Sequence, residues 1–584
     1  MRFPSMLSRG PRAAIDYALY RNRETVLSIP GRRLYKTFVA ATKDVKSTQA
    51  AVLADILNYA GETVYGREHG FASARGYDDY ARRVPINDYE DLREAIDRHT
   101  RGERDVLFPG KPLMYNQSSG TTALPKLIPV TPYNFERTIR DRGKLWLYGL
   151  MQQFPGAYAG KDMTMISPAV EGHTADGTPF GSLSGLVYKN IPSFLSRVHS
   201  APYSVYTLSD YEAKAYTVLR CALASDVSMV LTANPSTILN LVTRADTWKE
   251  RLIRDIHDGT LDPEVDPTIR AELAPMLRAN PLRAAVLDRF ARQSDALLPS
   301  DYWPNLKLIH TWKQGNCALV IPKLKPWFRA DTPIAEFGYL ASEITATDLI
   351  DAETDGSILQ VRSAFYEFSP YEDGGDDRGD RMLLAHELTV GQRYFVYVTT
   401  YSGLYRYDMN DVIEVIGSFG QAPVIRFLFK GKGITSLQGE KLSEEQLIEG
   451  VRQAACELAV RADFFIAYAD ADHQRYELLI DLGDDARSPA LTQLADALDR
   501  ALMAVNVEYA AKRKSARLHQ PVVIDAGRNF FERYKAMRLA EGASEGQFKW
   551  LHLTSSDDLR AKLVRLSGLR AESHVRGLQR EVAG

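Results

Sequence analysis

Cysteine is scarce in this sequence, with three residues among 584: Cys221, Cys317 and Cys456. They lie far apart and form no C-x-x-C pair, which argues against a disulfide framework and against a cysteine-rich zinc site. We therefore expect a protein of a reducing, cytoplasmic compartment.

An excess of charge is also absent. Lysine and arginine total 72 and aspartate and glutamate 74, which gives a net charge of -2. Nucleic-acid binding generally needs a basic surface, so this balance disfavours a nucleic-acid partner. No apolar run approaches the length of a membrane span, and Arg and Pro interrupt the N-terminal segment before a signal-peptide core could form. We expect no membrane partner.

The chain is longer than a single hydrophobic core usually supports, so at least two domains are expected. Residues 45–100 show helical spacing, and residues from about 104 to 430 mix short β-type runs with helical stretches, as in a layered α/β domain. Ser443 followed by Gln446 matches a capping box and predicts a helix beginning at Ser443. We place the domains at 1–430 and 431–584, the second a smaller α+β unit.

One loop is rich in hydroxyl groups. In "QSSGTTALPKLIPVT", residues 117–131, a predicted strand on each side holds the loop, and Thr131-Pro132 predicts a helix start. Its hydroxyls, a glycine that permits close backbone approach and a lysine together suit a triphosphate. The residues concerned are Ser118, Ser119, Gly120, Thr121, Thr122 and Lys126. The Walker spacing is absent and such residues also favour ordinary turns, so the loop alone leaves both interpretations open.

Two later segments each carry a carboxylate in a predicted turn: "FGYLASEI" around Glu343 and "GLYRYDMNDVIEV" around Asp411. The runs "YFVYVTT" and "VIEVI" on either side of the second segment predict a hairpin with a long connection. In isolation, Glu343 could cap a helix and Asp411 could close an Asx turn. The histidines form no metal or triad signature, so most are expected to be structural, with His173 and His310 as candidate general bases.

Taken in order, "SSGTT..PK", "YLASE" and "GLYRY...DV" resemble the three nucleotide motifs of the Gretchen Hagen 3 family of acyl acid amido synthetases, which are adenylate-forming (ANL-type) enzymes. The resemblance extends through "TANPSTILNL", "WPNLKLIHTW", "FYEFSP" and "GEKLSEEQL". The chain is thus identified as a member, of the bacterial type. The resemblance implies an α/β fold, with a large layered N-terminal domain of a β-barrel and β-sheets flanked by helices, and a smaller α+β C-terminal domain.

The resemblance also implies a site for ATP and Mg²⁺. Asp411 would accept hydrogen bonds from both ribose hydroxyls, Glu343 would lie near the nucleotide and the metal ion, and Tyr339 would line the adenine or acyl pocket. The catalytic residues implied are Lys126, Glu343, Lys441 and Lys549. The nucleotide-binding residues implied are Ser118, Ser119, Gly120, Thr121, Thr122, Tyr339, Ser342, Asp411 and Lys430.

Some positions depart from the family pattern. Asn410 replaces a glycine but tolerates positive φ, so the turn can survive. Asp408 stands where a basic residue is common, which reverses a local charge near an anionic substrate. Lys430 replaces a frequent arginine, which exchanges a fork of donors for a point charge. After Lys549 the chain reads "WLHL", where the family usually has Pro-Arg.

The expected activity follows from the resemblance. ATP would activate a small carboxylic acid as an acyl-adenylate, and an amino acid or other amine would then take the acyl group to form an amide, with the protein acting as a monomer. We expect the C-terminal domain to rotate near residues 430–433 between the two half-reactions. Two alternatives remain: an acyl-CoA ligase with a thiol acceptor, and a catalytically silent protein that binds nucleotide or acyl groups.

Overall fold

The computed structural model describes most of the chain, in these ranges: 11–117, 126–294, 296–348, 356–371, 382–435, 437, 440, 442–462, 464–482, 491–514, 518–541 and 550–567. The α-helices of these residues are α1 (Pro11–Arg21), α2 (Arg23–Thr42), α3 (Val45–Ala60), α4 (Val64–Glu68), α5 (Tyr77–Arg83), α6 (Tyr89–Thr100), α7 (Pro132–Asn134), α8 (Asp141–Gln153), α9 (Leu183–Lys189), α10 (Ser193–Ser196), α11 (Tyr211–Leu223), α12 (Pro235–Thr247), α13 (Lys249–Asp258), α14 (Pro267–Leu273), α15 (Pro281–Ser294), α16 (Pro299–Tyr302), α17 (Ile321–Leu324), α18 (Glu444–Glu457), α19 (Leu491–Val505), α20 (Val507–Lys514), α21 (Phe530–Ala540) and α22 (Asp557–Ser567). The strands are β1 (Met114–Gln117), β2 (Leu127–Val130), β3 (Lys161–Thr164), β4 (Gly172–His173), β5 (Pro179–Gly181), β6 (Val227–Leu231), β7 (Leu308–Thr311), β8 (Ile334–Glu336), β9 (Thr347–Asp348), β10 (Ser357–Leu359), β11 (Phe365–Pro370), β12 (Leu383–Leu384), β13 (Arg393–Thr399), β14 (Tyr407–Phe419), β15 (Ala422–Lys430), β16 (Ile434–Thr435), β17 (Leu442–Ser443), β18 (Phe464–Asp470), β19 (Arg475–Asp481), β20 (Val522–Asp525) and β21 (Leu553–Thr554).

A parallel sheet forms one layer of the larger part of the molecule. Its strands run in the order β3-β6-β7-β8, and helices between α11 and α17 cover it. Val230 and Ile309 on the sheet and Leu241 on α12 are fully buried in one core. Strands of this kind are apolar throughout because helices bury them, which explains the predicted runs "SMVLTA" and "LKLIHTW".

The largest sheet is antiparallel and has seven strands in the order β12-β11-β13-β14-β15-β10-β9. Helix α3 packs against β11, and Ile56, Leu359 and Val398 lie in the core between the sheet and the N-terminal helices. The predicted hairpin is confirmed as β13 and β14, with Tyr394 opposite Ile413. The second strand is longer than predicted, since it begins at Tyr407 and includes Asp411.

A separate core forms after β17. Its sheet has the order β20-β19-β18-β21, and helices cover both faces. Leu478 and Leu479 are neighbours in β19 and point to opposite faces, so Leu478 packs in the core with α18 and α19 and Leu479 with α21 and α22. The helix predicted at Ser443 is confirmed, because the Ser443 side chain accepts from Gln446 N and Gln446 completes the capping box. These parts agree with the predicted α/β architecture and smaller α+β unit.

A buried ion pair anchors the connection between β13 and β14. Arg406 Nη2 lies 2.8 Å from Glu367 Oε1 on β11, and Arg406 Nη1 donates to the carbonyl oxygens of Ala81 and Val84. Tyr77 donates a further hydrogen bond to Glu367. The chain entering the third predicted motif is thereby fixed to helix α5.

Changing Glu367 to glutamine is expected to destabilise the protein by about 3 to 5 kcal/mol, because the Arg406 charge stays buried without its counter-charge. Urea unfolding followed by tryptophan fluorescence would measure the change. The double variant Glu367→Gln/Arg406→Met is the matched control, and it should be more stable than Glu367→Gln alone. A double variant no more stable than the single one would contradict the electrostatic explanation.

His99 makes the fold sensitive to acid. Its ring stacks on Phe108 at 4.0 Å, and Leu107 N donates to His99 Nε2, which can accept only in the neutral ring. Burial lowers the pKa of His99 from 6.5 to about 4.

The unfolded chain therefore binds a proton at His99 between pH 6.5 and 4 that the folded chain does not, and up to about 3 kcal/mol of stability is lost as the pH falls through this window. In His99→Gln, which accepts without titrating, unfolding midpoints should fall less between pH 6.5 and 4; an unchanged pH dependence would contradict this.

None of the helices in the described ranges has the length and apolar character needed to cross a membrane.

Candidate active site

The strand that leads into the hydroxyl-rich loop contacts the second predicted motif. Asn116 on β1 is buried, its Oδ1 accepts from Leu183 N at 3.0 Å, and its Nδ2 donates to the carbonyl oxygen of Ser342 at 3.2 Å. Strands β1 and β2 pair in antiparallel register, from Met114 opposite Val130. The five loop residues predicted to bind phosphate, Ser118, Ser119, Gly120, Thr121 and Thr122, lie outside the described residues.

Lys126 lies between two tyrosines at the start of β2. Its Nζ is 3.5 Å from the Tyr407 hydroxyl and 5.3 Å from the ring centroid of Tyr89. The Tyr89 hydroxyl accepts a hydrogen bond from Leu127 N at 2.9 Å, which fixes the ring beside the strand. Because Tyr407 belongs to the third motif, this contact brings the loop's lysine to that motif.

A third contact joins the second and third motifs. The Tyr339 hydroxyl donates to Asp411 Oδ2 at 2.5 Å, and both side chains are buried. Burial, and then the Asp411 charge, raise the pKa of Tyr339 well above its usual value, so the hydroxyl keeps its proton. The two residues lie 72 positions apart in the chain.

Glu343 and Ser342 line a cavity that is partly open to solvent. The π-helix Phe135–Arg140 contributes Thr138 and Ile139 to its wall, and Leu183 of α9 closes another side. Among the residues that the structure describes, no hydrogen bond or ion pair reaches the Glu343 carboxylate. Its charge raises the pKa of Tyr407, second to the effect of burial, which places the carboxylate and this phenol in one electrostatic environment.

The turn expected around Asp411 is replaced by strand. Asp411 lies in β14 opposite Lys430 of β15, so the prediction of a turn at this carboxylate is wrong. Within β14, Asn410 has positive φ, at 51°, as the departure from glycine allowed. Asp408 Oδ1 accepts from Asn410 N at 2.6 Å and so closes the local bend in the backbone.

The three remaining predicted lysines lie at the end of β15 or after it in the chain. Lys430 is the last residue of β15. Lys441 and Lys549 lie outside the described residues. Of the histidine candidates, His310 is buried and its ring contacts the Glu336 carbonyl oxygen, and burial lowers its pKa to about 3, as for a structural residue. His173 lies exposed on β4.

Sequence reasoning missed Tyr89, Asn116 and Tyr407. Tyr407 lies inside the quoted third motif, so its aromatic side chain beside the predicted carboxylate was an available signal. Tyr89 and Asn116 had no such signal, since their partners lie 38 and 226 positions away.

Family models match this chain along most of its length. The GH3 family N-terminal domain matches residues 34–334, the central domain residues 357–430 and the C-terminal domain residues 445–558. The chain belongs to the GH3 family. GH3 is the short form of the Gretchen Hagen 3 name used above, so the predicted family is confirmed.

Curated members of the GH3 family are similar over most of the chain. A probable indole-3-acetic acid-amido synthetase GH3.1 of Arabidopsis thaliana is 27% identical over 87% of this chain and 89% of its own. A probable indole-3-acetic acid-amido synthetase GH3.4 of Oryza sativa subsp. japonica is 30% identical over 72% of this chain and 70% of its own. These relatives confirm the predicted enzyme class, an acid–amino acid ligase. The expectation of a bacterial-type member is not borne out, since the relatives compared are plant proteins.

The fold of the family is also confirmed. The structure of AtGH3.15 acyl acid amido synthetase in complex with 2,4-DB superposes with a TM-score of 0.81 at 22% identity, covering 92% of this chain and 96% of that one. A second GH3.15 structure gives a TM-score of 0.79 at 23% identity, covering 90% and 94%.

Proposed function

We propose that this GH3 family chain is an ATP-dependent acyl acid amido synthetase that converts a carboxylic acid to an acyl-adenylate and transfers the acyl group to the amine of an amino acid. The observation that carries the proposal is the convergence of three sequence motifs on one site. Three contacts produce it: Asn116 with Ser342, Lys126 with Tyr407, and Tyr339 with Asp411.

The residues suit the first half-reaction. A carboxylate is a poor electrophile, and joining one of its oxygens to the α-phosphorus of ATP, with loss of pyrophosphate, turns that oxygen into part of a good leaving group. The loop hydroxyls from Ser118 to Thr122 and Lys126 would hold the phosphates in line, and Asp411 would hold the ribose. Lys430, Lys441 and Lys549 are proposed to approach the nucleotide from the end of β15 and from the C-terminal domain.

The residues at the cavity fit a magnesium ion. Mg²⁺ in nucleotide sites is usually held by one or two carboxylates together with substrate phosphates and water. Glu343 supplies one carboxylate that meets no protein cation among the described residues. We propose Glu343 as the metal ligand; when bound, Mg²⁺ would neutralise the charge of the phosphates.

The cavity beside Glu343 is the proposed acid site. The wall combines apolar residues such as Ile139 and Leu183 with polar ones such as Thr138. An acid held here would have its carboxylate close to the proposed metal ligand.

We propose that the domain boundary lies between residues 430 and 431. We also propose that the C-terminal domain rotates about this connection between the two half-reactions. In support, β15 ends at Lys430, the match to the family's central domain ends at the same residue, and a short helical turn, Gly431–Gly433, follows. A Cβ at Gly431 would lie 2.5 Å from the Phe395 ring, so this glycine permits close packing of the connection against β13.

Changing Gly433 to proline is expected to impair one half-reaction at least about tenfold more than the other, because fixed φ hinders rotation of the C-terminal domain. Pyrophosphate exchange measures adenylation, and amide formation from a supplied acyl-adenylate measures transfer. Gly433→Ala is the control, since its Cβ would meet mainly the Glu444 side chain, at 3.2 Å. Equal losses in both half-reactions would count against the hinge.

The remaining proposals concern the setting of the enzyme. Scattered cysteines support a reducing, cytosolic compartment. We propose a monomer, as the family resemblance implies. Light scattering on a size-exclusion column would test the oligomeric state, and a dimer would contradict the proposal.

The proposed function is tested by incubating the protein with ATP, Mg²⁺, a panel of carboxylic acids and a mixture of amino acids. Release of AMP together with a new amide mass supports the proposal and names both substrates. AMP without an amide, but with a thioester when coenzyme A is added, would replace the amine by a thiol acceptor. No AMP with any acid would favour a catalytically silent binding protein.

A further inference from the structure

The hydrogen bond between Tyr339 and Asp411 has a particular geometry. The phenol oxygen lies 2.5 Å from Asp411 Oδ2, at the short end of the range for a charge-assisted bond from a hydroxyl to a carboxylate. Tyr339 is 8% exposed and Asp411 is 2% exposed, so water competes little for either group. The two residues belong to different motifs of the proposed nucleotide site.

Hydrogen bonds and strand pairing fix the backbone positions of both Tyr339 and Asp411. Tyr339 N donates to Thr347 Oγ1 at 2.8 Å, and Ala346 N donates to the Tyr339 carbonyl oxygen at 3.0 Å. The Tyr339 ring stacks with that of Phe427 on β15, with centroids 5.9 Å apart. Asp411 is paired within β14 to the same strand, β15. The phenol therefore reaches the carboxylate from a fixed direction.

A fixed donor restricts what the carboxylate can do next. An ionised carboxylate offers about four acceptor positions in one plane. A hydrogen bond from Tyr339 to Oδ2 occupies one of them and fixes the plane of the group. The other positions then point in set directions before any ligand arrives, and such preorganisation lowers the entropy lost on binding.

We propose that Tyr339 is a positioning residue that acts through Asp411: its hydroxyl holds the carboxylate in the orientation that accepts the ribose hydroxyls, and so sets the preference for ribonucleotides over deoxyribonucleotides. This inference rests on the proposed function, in which Asp411 binds ribose. It differs from a contact between the Tyr339 ring and the base, because the hydroxyl alone carries it.

Nucleotide binding tests the proposal without knowledge of the acid. Isothermal titration calorimetry would give the Kd of ATP and of 2′-deoxy-ATP, each with Mg²⁺, for the wild type and for Tyr339→Phe, Asp411→Ala and the double variant. Tyr339→Phe should lower the preference for ATP over 2′-deoxy-ATP by about tenfold, the scale of one hydrogen bond to a charged acceptor. Asp411→Ala should lose the preference, and the double variant should match Asp411→Ala.

Tyr216→Phe is the matched control. Tyr216 donates to Asp255 Oδ2 at 2.9 Å, both residues are buried, and the pair lies between α11 and α13 in the core of the parallel sheet. This variant removes the same kind of bond, so its ATP preference should equal that of the wild type. Thermal melting of each variant would show that it is folded.

Each other outcome has a distinct meaning. If Asp411→Ala loses the preference and Tyr339→Phe keeps it, the positioning role is overturned while the proposed function stands. If Tyr339→Phe weakens the binding of both nucleotides equally, the hydroxyl stabilises the fold or contacts the base, and the positioning role is again overturned. If the wild type binds neither nucleotide, or Asp411→Ala binds both as the wild type does, the ribose assignment fails and this inference fails with it.

Discussion

Changing Asp411 to alanine is expected to lower kcat/KM for ATP by about a thousandfold. The variant loses two hydrogen bonds from the ribose to a charged acceptor, each contributing about 1.5 to 3 kcal/mol. It also removes the acceptor of the Tyr339 hydroxyl, which would stay buried with its donor unsatisfied. Pyrophosphate exchange at several ATP concentrations, with an acid found in the panel, measures the loss.

Asp411→Asn is the conservative comparison. Its amide oxygen keeps one neutral acceptor, so its activity should lie between that of Asp411→Ala and the wild type. The position is buried, and melting temperatures must show that both variants are folded. A folded Asp411→Ala with wild-type kcat/KM for ATP would contradict the assignment of this residue to the ribose.

Changing Glu343 to glutamine is expected to reduce adenylation by at least about a hundredfold and to raise the Mg²⁺ concentration needed for half-maximal rate. Glutamine keeps the size of the side chain, so the cavity keeps its shape while the negative charge is lost. A metal ion that stabilises charge in the transition state contributes several kcal/mol, which sets this scale. A Mg²⁺ titration of pyrophosphate exchange measures both effects.

The control for this change is Glu449→Gln, which removes an equal charge from α18, where Glu449 pairs with Arg452. It should leave the rate and the Mg²⁺ dependence at their wild-type values. A Glu343→Gln variant whose rate falls while its half-maximal Mg²⁺ concentration is unchanged would contradict the role as metal ligand and would leave Glu343 as a residue of the acid cavity.

Features governed by neighbouring residues could be predicted from the sequence. The capping box at Ser443 and the helix start at Thr131-Pro132 each depend on side chains within three positions of the helix end, and both are present. The β1–β2 pair on either side of the hydroxyl-rich loop and the β13–β14 hairpin follow from short β-branched and aromatic runs. At these positions the tertiary contacts are compatible with the local preferences.

Features that depend on residues distant in the sequence could not be predicted from it. Asn and Asp favour turns locally, yet Asp411 is in strand because β14 continues past Asn410 to pair with β15. Asn116 is an ordinary polar residue in the sequence, and only the fold brings it to Ser342. The short bond from Tyr339 to Asp411 likewise depends on the packing of two motifs, so the sequence could place both residues in one site without indicating their contact.

Activation of the acid as an acyl-adenylate can be detected by transfer of ¹⁸O from the acid to AMP. The carboxylic acid identified in the panel would be labelled with ¹⁸O in both carboxylate oxygens and incubated with the protein, ATP, Mg²⁺ and the accepted amino acid. We expect one ¹⁸O in the phosphate of AMP, because the bridging oxygen leaves with AMP when the amine attacks the carbonyl carbon. Label in inorganic phosphate with formation of ADP, or amide formation with unlabelled AMP, would contradict activation as an acyl-adenylate.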